Sequence, residues 1–177
     1  MPRKPLWGES SLNGPRTGHL GALLSDQPIL VQDANVVVYI TNIRVYPFGL
    51  LFTALGEQSI GDGPLKCWSR DFPPSSSDLP PSSSDEPVVT VTFSDGHTWR
   101  YDPEMRGDCL IPRASERAGG PEGSTWRAEY WLPALPTEGP VVFSISVGEY
   151  SGTASVDGAT VLAAASRAID LWEQPEV

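Results

Sequence analysis

Val-Val-Val-Tyr-Ile-Thr-Asn-Ile-Arg-Val-Tyr, residues 36–46, is the stretch that decides the fold class. β-Branched and aromatic residues dominate it, and these favour strands because they pack well on a pleated surface and lose rotamer freedom in a helix. Strand alternation predicts that one set of side chains turns inward: Val37, Tyr39, Thr41, Ile43 and Val45. Asn42 and Arg44 are predicted to face outward. The stretch therefore predicts a long strand.

Shorter stretches on both sides of this strand also favour β-structure. They predict strands at 29–32, 48–54, 89–93, 99–101, 126–132, 141–147 and 152–156. Asp95-Gly96 predicts a tight hairpin turn, since glycine adopts the positive φ that such turns require. Residues 103–124 show no alternation and are predicted to be irregular.

The hydrophobic period changes after Asp157, which is a good helix N-cap residue. Apolar side chains then recur at spacings of three and four: Val161, Leu162, Ala165, Ala168, Ile169 and Trp172. We predict a C-terminal amphipathic helix that docks on the sheet and ends before Pro175. The fold expected is mainly β, an antiparallel β-sandwich of about seven strands, immunoglobulin-like in general build, with one C-terminal helix.

Two segments lack the pattern of a folded core. Residues 1–27 are rich in Gly, Pro, Ser and Asn and predict a disordered N-terminal arm. Residues 57–87 contain the duplication Pro-Pro-Ser-Ser-Ser-Asp, at 73–78 and 80–85, which predicts a disordered insertion loop. The strands flanking this loop need each other to bury their apolar faces, so residues 28–174 are predicted to form a single domain.

Charge and hydropathy restrict the partners. The formal net charge is −10, which disfavours binding to nucleic acid or to an anionic membrane surface. No apolar run approaches the length of a spanning helix, and the N-terminal residues lack the apolar run of a signal peptide. We therefore expect a cytoplasmic protein, in which the thiols of Cys67 and Cys109 are favoured over a disulfide. The oligomeric state is not indicated.

Four segments carry a resemblance to a known group. They are 44–52, 91–96, 126–143 with its Trp-Leu-Pro-Ala-Leu-Pro, and the Ala-rich 163–172. In this order and spacing, from residue 34 to residue 172, the chain resembles a group of actinobacterial proteins of unknown function. The resemblance implies a shared fold and no activity, ligand or cofactor. The chain departs from the group at 146–151, where a Trp-Pro pair is expected.

Motifs for catalysis are absent from the sequence. There is no G-x-S-x-G elbow, Walker loop, dinucleotide fingerprint or H-E-x-x-H, so we predict no cofactor and no catalytic residue. A metal site from His97, Asp95 and Asp102 is conceivable, but exposed hairpin tips collect such residues anyway. Four acidic residues offer carboxylate pairs, and a solvated acidic face explains them better: Glu129, Glu138, Glu149 and Asp157.

The six tryptophans suggest a binding surface. Trp126 and Trp131 are an odd number of positions apart, so only one of them faces the core of a regular strand. An exposed Trp131 could join Trp99, Tyr150 and His97 in a candidate binding surface, although the C-terminal helix could instead cover Trp131 through Trp172.

Three functions follow from these patterns. The first is a non-catalytic interaction module that binds a protein partner, with free sheet edges that could accept a strand. The second is a small-ligand or carbohydrate binder using exposed aromatics. The third is a small hydrolase using His97 and neighbouring carboxylates.

Overall fold

Strands build most of the molecule. The computed structural model describes residues 14–15, 18–59, 87–101, 109–120 and 123–170. Its elements, in chain order, are β1 (His19–Leu20), β2 (Ala22–Leu23), β3 (Ile29–Gln32), β4 (Val36–Tyr46), β5 (Gly49–Ser59), β6 (Val88–Thr92), β7 (Thr98–Tyr101), β8 (Cys109–Gly120), β9 (Gly123–Leu132), β10 (Val141–Val147), β11 (Tyr150–Val156), α1 (Gly158–Ala165) and β12 (Ile169–Asp170). The prediction of a mainly β protein with one helix is confirmed.

Ten of the strands form one continuous sheet. Its order is β11-β10-β6-β7-β8-β9-β5-β4-β2, with β3 also paired to β4, while β1 and β12 form a separate two-stranded sheet. The β7–β8 pair is parallel and the other pairs of described strands are antiparallel. The structure thus has one mixed sheet where the sequence predicted two antiparallel sheets, because strand rhythm reports a buried face but not which strands pair.

The sheet curls until its two ends meet. β11 stands at one end of the strand order, and β3 lies beside the other end. A Cβ built on Gly152 of β11 would lie 1.7 Å from the backbone oxygen of Leu30 in β3. Only a glycine allows this approach, so Gly152 is the contact at which the curl closes on itself.

The core fills the inside of the curl. Phe52 of β5 contacts Phe143 of β10 with ring centroids 5.2 Å apart, and Tyr130 of β9 at 5.7 Å. The contact between Phe52 and Phe143 joins distant parts of the sheet, and Trp126 is buried in the same cluster. The helix α1 packs against β4 and β2 and buries Val161 and Ala164.

The buried side chains of β4 differ from the predicted inward set, because the strand contains a bulge. Val36, Val38 and Ile40 are buried in place of Val37, Tyr39 and Thr41, which are half-buried. The register with β5 then shifts between Thr41 and Arg44, and Asn42 takes a positive φ of 58°. The extra residue reverses the phase, so Ile43 and Val45 do face the core as predicted.

The hairpin predicted at Asp95-Gly96 is confirmed. β6 and β7 pair across it, and Gly96 has a φ of 85°. The backbone N–H of Phe93 donates to the His97 carbonyl, and the N–H of Gly96 donates to the Phe93 carbonyl. The Asp95 side chain accepts the backbone N–H of His97 at 2.9 Å, so this carboxylate holds the turn.

The C-terminal helix is shorter than predicted. Asp157 caps its N-terminus as expected, accepting N–H groups of Ala159 and Thr160, but the helix ends at Ala165. Ile169 then lies in β12, where it pairs with β1, and it is exposed, as Leu162 is. The stripe ends early because backbone pairing with β1 competes with the last helical turns. Trp172 and Pro175 lie outside the described residues.

Two segments predicted to lack regular structure contain strands. Within the expected N-terminal arm, 1–27, β1 pairs with β12 and β2 pairs with β4, while 1–13 and 16–17 lie outside the described residues. Within the expected irregular stretch, 103–124, β8 pairs with β9. Of the expected insertion loop, 57–87, residues 57–59 belong to β5, and residues 60–86 lie outside the described part.

No helix among the described residues is long and apolar enough to cross a membrane. The compartment stays a prediction.

Candidate functional site

The strand β8 presents a long backbone edge. It pairs with β9 from Ile111 to Gly120, and the register runs without a shift from Ala114, opposite Glu129, to Gly120, opposite Gly123. On its other side, β7 pairs only with Cys109 and Leu110. In the part of the chain that the structure describes, no strand continues this pairing beyond Leu110, and we call Ala114–Gly120 the β8 edge.

β8 is a strand because β9 holds it in place. β9 has core residues on one face, Trp126, Ala128 and Tyr130, and it is itself paired with β5 over its full length. Its second side therefore offers a row of amides and carbonyls that require partners. β8 supplies them, although the side chains of residues 113–119 are exposed.

The start of the β8 edge is marked by a bulge. The register with β9 shifts between Pro112 and Ala114, and Pro112 lacks a backbone N–H. The guanidinium of Arg113, at the bulge, lies next to Gly14, where an added Cβ would be 3.1 Å from its Cζ. Proline and a bulge commonly prevent unwanted pairing of edge strands, and here both stand before Ala114.

Small and charged residues alternate along the β8 edge. On the face turned away from the core lie Ala114, Glu116 and Ala118, opposite Glu129, Arg127 and Thr125 of β9. On the core-side face lie Ser115, Arg117 and Gly119. Each charge on the edge is therefore flanked by small residues on its own face.

A shallow depression adjoins the β8 edge on the outward face. Its lining comprises Ala114, Ser115, Glu116, Arg127 and Glu129. Arg127 and Glu116 form an ion pair at 4.0 Å, with 50% and 74% of their side chains exposed. An ion pair so exposed contributes at most about 1 kcal/mol to stability, because water and salt screen it.

The predicted binding surface does not assemble as expected. Trp131 is 0% exposed and packs edge to face on Tyr46 and Phe48, at 5.7 and 5.8 Å, so the expectation of an exposed Trp131 is wrong. Trp131 points away from the core, as the odd spacing to Trp126 requires, but Tyr46 and Phe48 cover that face.

The other three predicted residues have separate positions. Trp99 is only 9% exposed and belongs to the core, with the His97 ring 5.2 Å away. His97 is exposed on the hairpin, and Tyr150 is half-buried against the core. The structure therefore brings His97 and Trp99 together but forms no aromatic platform from the set of four.

The predicted acidic and metal-binding residues are dispersed. Glu129 lies on β9, Glu149 in the β10–β11 turn, and Asp157 at the start of α1. Among the described residues, no group of three or more His, Cys, Asp or Glu side chains could hold a metal ion. Asp102 and Cys67 lie outside these residues, and Cys109 is buried at the start of β8.

Comparisons with known proteins add no assignment. No protein family, curated protein or solved structure matches this chain. The resemblance to an actinobacterial group therefore stays a prediction.

The β8 edge was missed in the sequence because its side chains have no apolar rhythm. One signal was available. Gly119-Gly120 and Gly123 surround Pro121-Glu122, which is typical of a hairpin turn, and the strand predicted at 126–132 needed a neighbour on each side.

Proposed function

We propose that this protein is a non-catalytic interaction module, and that its β8 edge binds an extended segment of a partner protein by strand addition. The observation that carries the proposal is the regular register from Ala114 to Gly120, with residues 114–119 exposed and the strand paired on one side only among the described residues. At about 3.3 Å per residue it offers roughly 23 Å of backbone, enough for a short extended peptide. In strand addition, main-chain hydrogen bonds supply the affinity.

The fold supports this choice of edge. The far end of the sheet is not equivalent, because Gly152 of β11 lies directly against Leu30 of β3. The β8 edge instead adjoins exposed small side chains that leave room for a neighbour. Strand addition needs only an open strand edge, which the single sheet provides, so the proposal does not require an immunoglobulin-like sandwich.

The two alternative functions have weaker support. A carbohydrate binder needs exposed aromatic rings, and Trp99 and Trp131 are buried. A hydrolase built on His97 would use the neighbouring Asp95, but that carboxylate already accepts a backbone N–H in the turn. The interaction module is therefore the function that the described residues support best.

Peptide titration tests the proposal. The probe is a soluble peptide of alternating Val and Thr, added to the isotope-labelled full chain while the amide signals are followed by NMR. We expect the amides of residues 114–120 to shift and to exchange more slowly with solvent. A matched peptide with alternate backbone nitrogens methylated cannot donate along one side and should give no shift.

Two proline variants locate the edge. Successive N–H groups of a strand point to opposite sides of it. Of Ser115→Pro and Glu116→Pro, one therefore removes a donor on the open side of β8 and the other removes a donor that faces β9. The variant that loses the donor on the open side should keep near-normal stability and lose peptide binding. The other should lose a backbone hydrogen bond to β9 and be destabilised by about 1–3 kcal/mol. If both proline variants fold stably and both still bind the peptide, the proposal is refuted.

A further inference from the structure

The charges beside the β8 edge specify the chemistry of its partner. We infer that the docked segment carries a basic residue opposite Ala114 and an acidic residue opposite Arg117, three positions apart on opposite faces of the added strand. This inference rests on the proposed function and adds the partner class: an extended peptide with an acidic and a basic residue at that spacing.

The outward face favours the basic residue. Glu116 and Glu129 line the depression together with a single cation, Arg127, so the depression has an excess of negative charge. Ala114 lies between the docked strand and Glu129, its partner on β9. Strands stand about 4.8 Å apart, so a Lys or Arg side chain opposite Ala114 crosses only a methyl group before it meets the Glu129 carboxylate.

The core-side face favours the acidic residue. Arg117 is exposed and carries the positive charge of that face, where its neighbours on the edge, Ser115 and Gly119, are small and uncharged. Residues directly opposite on neighbouring strands interact, with opposite charges stabilising the pair and like charges destabilising it. An Asp or Glu opposite Arg117 is therefore preferred, and a Lys or Arg is rejected.

The same charges disfavour a second copy of this chain as the partner. In a twofold-symmetric antiparallel pair, one residue lies opposite its own copy, and residues equally far before and after it lie opposite each other. A centre at Glu116 opposes two glutamates, and a centre at Arg117 opposes two arginines. Like charges thus meet in both of these registers at the middle of the edge, and the net charge of −10 adds repulsion between copies.

Four peptides of one Val-Thr host test the inference on the full chain. They contain Glu-Thr-Val-Lys, Lys-Thr-Val-Glu, adjacent Glu-Lys, or no charge. We expect one of the first two to bind about three- to tenfold more tightly than the uncharged host at low salt, with a smaller gap as sodium chloride is added. The order that binds reports whether the added strand is antiparallel or parallel to β8.

Charge reversal provides the matched controls. Arg117→Glu should weaken binding of the preferred peptide. Replacing the Glu of that peptide by Lys should restore binding to this variant. Glu129→Lys should weaken it through the other face. Arg167→Glu and Glu149→Lys make the same charge changes at exposed positions on other elements and should leave affinity unchanged. Thermal unfolding of each variant identifies any loss of folding.

The outcomes separate this inference from the proposed function. If all four peptides shift the amides of residues 114–120 with equal affinity, the edge binds strands but the charge assignment is wrong. If the adjacent Glu-Lys peptide binds best, the spacing is wrong. If no peptide shifts these amides, the proposed function fails and the inference fails with it.

Discussion

Gly152 is the position at which the curled sheet closes, and replacing it with Ala should weaken the whole fold. The new Cβ would lie 1.7 Å from the Leu30 oxygen and 2.6 Å from the Leu30 carbonyl carbon. An ordinary contact between such atoms is about 3.4 Å, so the two strands must separate by more than about 1 Å. Backbone cannot move aside by changing rotamer, so β11 or β3 must shift as a unit.

The size of the effect follows from this overlap. Forced repacking of a buried contact costs about 1–3 kcal/mol, and a clash with backbone belongs at the upper end, so we expect Gly152→Ala to lose about 2–4 kcal/mol. In a domain of this length, each kcal/mol lowers the Tm by about 2–4 °C. Thermal and urea unfolding should therefore report a fall in Tm of about 5–15 °C.

Neighbouring positions on β11 control for the substitution itself. Ser151 and Thr153 are exposed, and Ser151→Ala and Thr153→Ala should change stability by no more than about 0.5 kcal/mol. If Gly152→Ala is as stable as these two variants, β3 and β11 do not meet at this point. The account of the sheet as a closed curl would then be wrong.

Three further predictions test local features. Asn42→Val should cost about 1–2 kcal/mol in urea unfolding, because a β-branched residue resists the positive φ of the bulge, whereas Asn42→Gly should be tolerated. Hydrogen bonds from the Thr160 hydroxyl and amide lower the pKa of Asp157. This carboxylate therefore stabilises the fold above its unfolded-state pKa of about 3.9, and the contribution disappears as the pH falls through the lower folded-state pKa. The Tm difference between wild type and Asp157→Ala should be present at neutral pH and vanish in strong acid. Burial, and then the hydrogen bond to Glu57, raise the pKa of Tyr39. Glu57→Gln should therefore lower the pH at which phenolate absorbance appears. An unchanged titration would contradict the hydrogen bond between Tyr39 and Glu57.

The sequence was informative wherever burial and period agreed. Leu50, Phe52 and Ala54 are buried as alternation predicted, and the Asp95-Gly96 turn and the Asp157 cap lie where turn and cap chemistry required them. Each of these features is set by residues within a few positions of one another. Local physical chemistry was enough to find them.

Prediction failed where a distant contact changed the outcome. In β4, apolar residues on both faces left the phase open, and the bulge at Asn42 then changed it midway along the strand. At the C-terminus, helical spacing continued past Ala165, but Ile169 pairs with Leu20 of β1. No rule confined to a short window could anticipate a partner so far away in the chain.

The candidate site belongs to this second class for a physical reason. A strand that is recognised from its sequence has an apolar face, and that face is already committed to the core. A strand that keeps a backbone edge available is exposed on both faces, as residues 113–119 are, and its composition resembles that of a loop. Its strand conformation comes from β9, whose own pattern is plain. The binding surface was therefore visible only through its neighbour, as the second side of a strand that needed two partners.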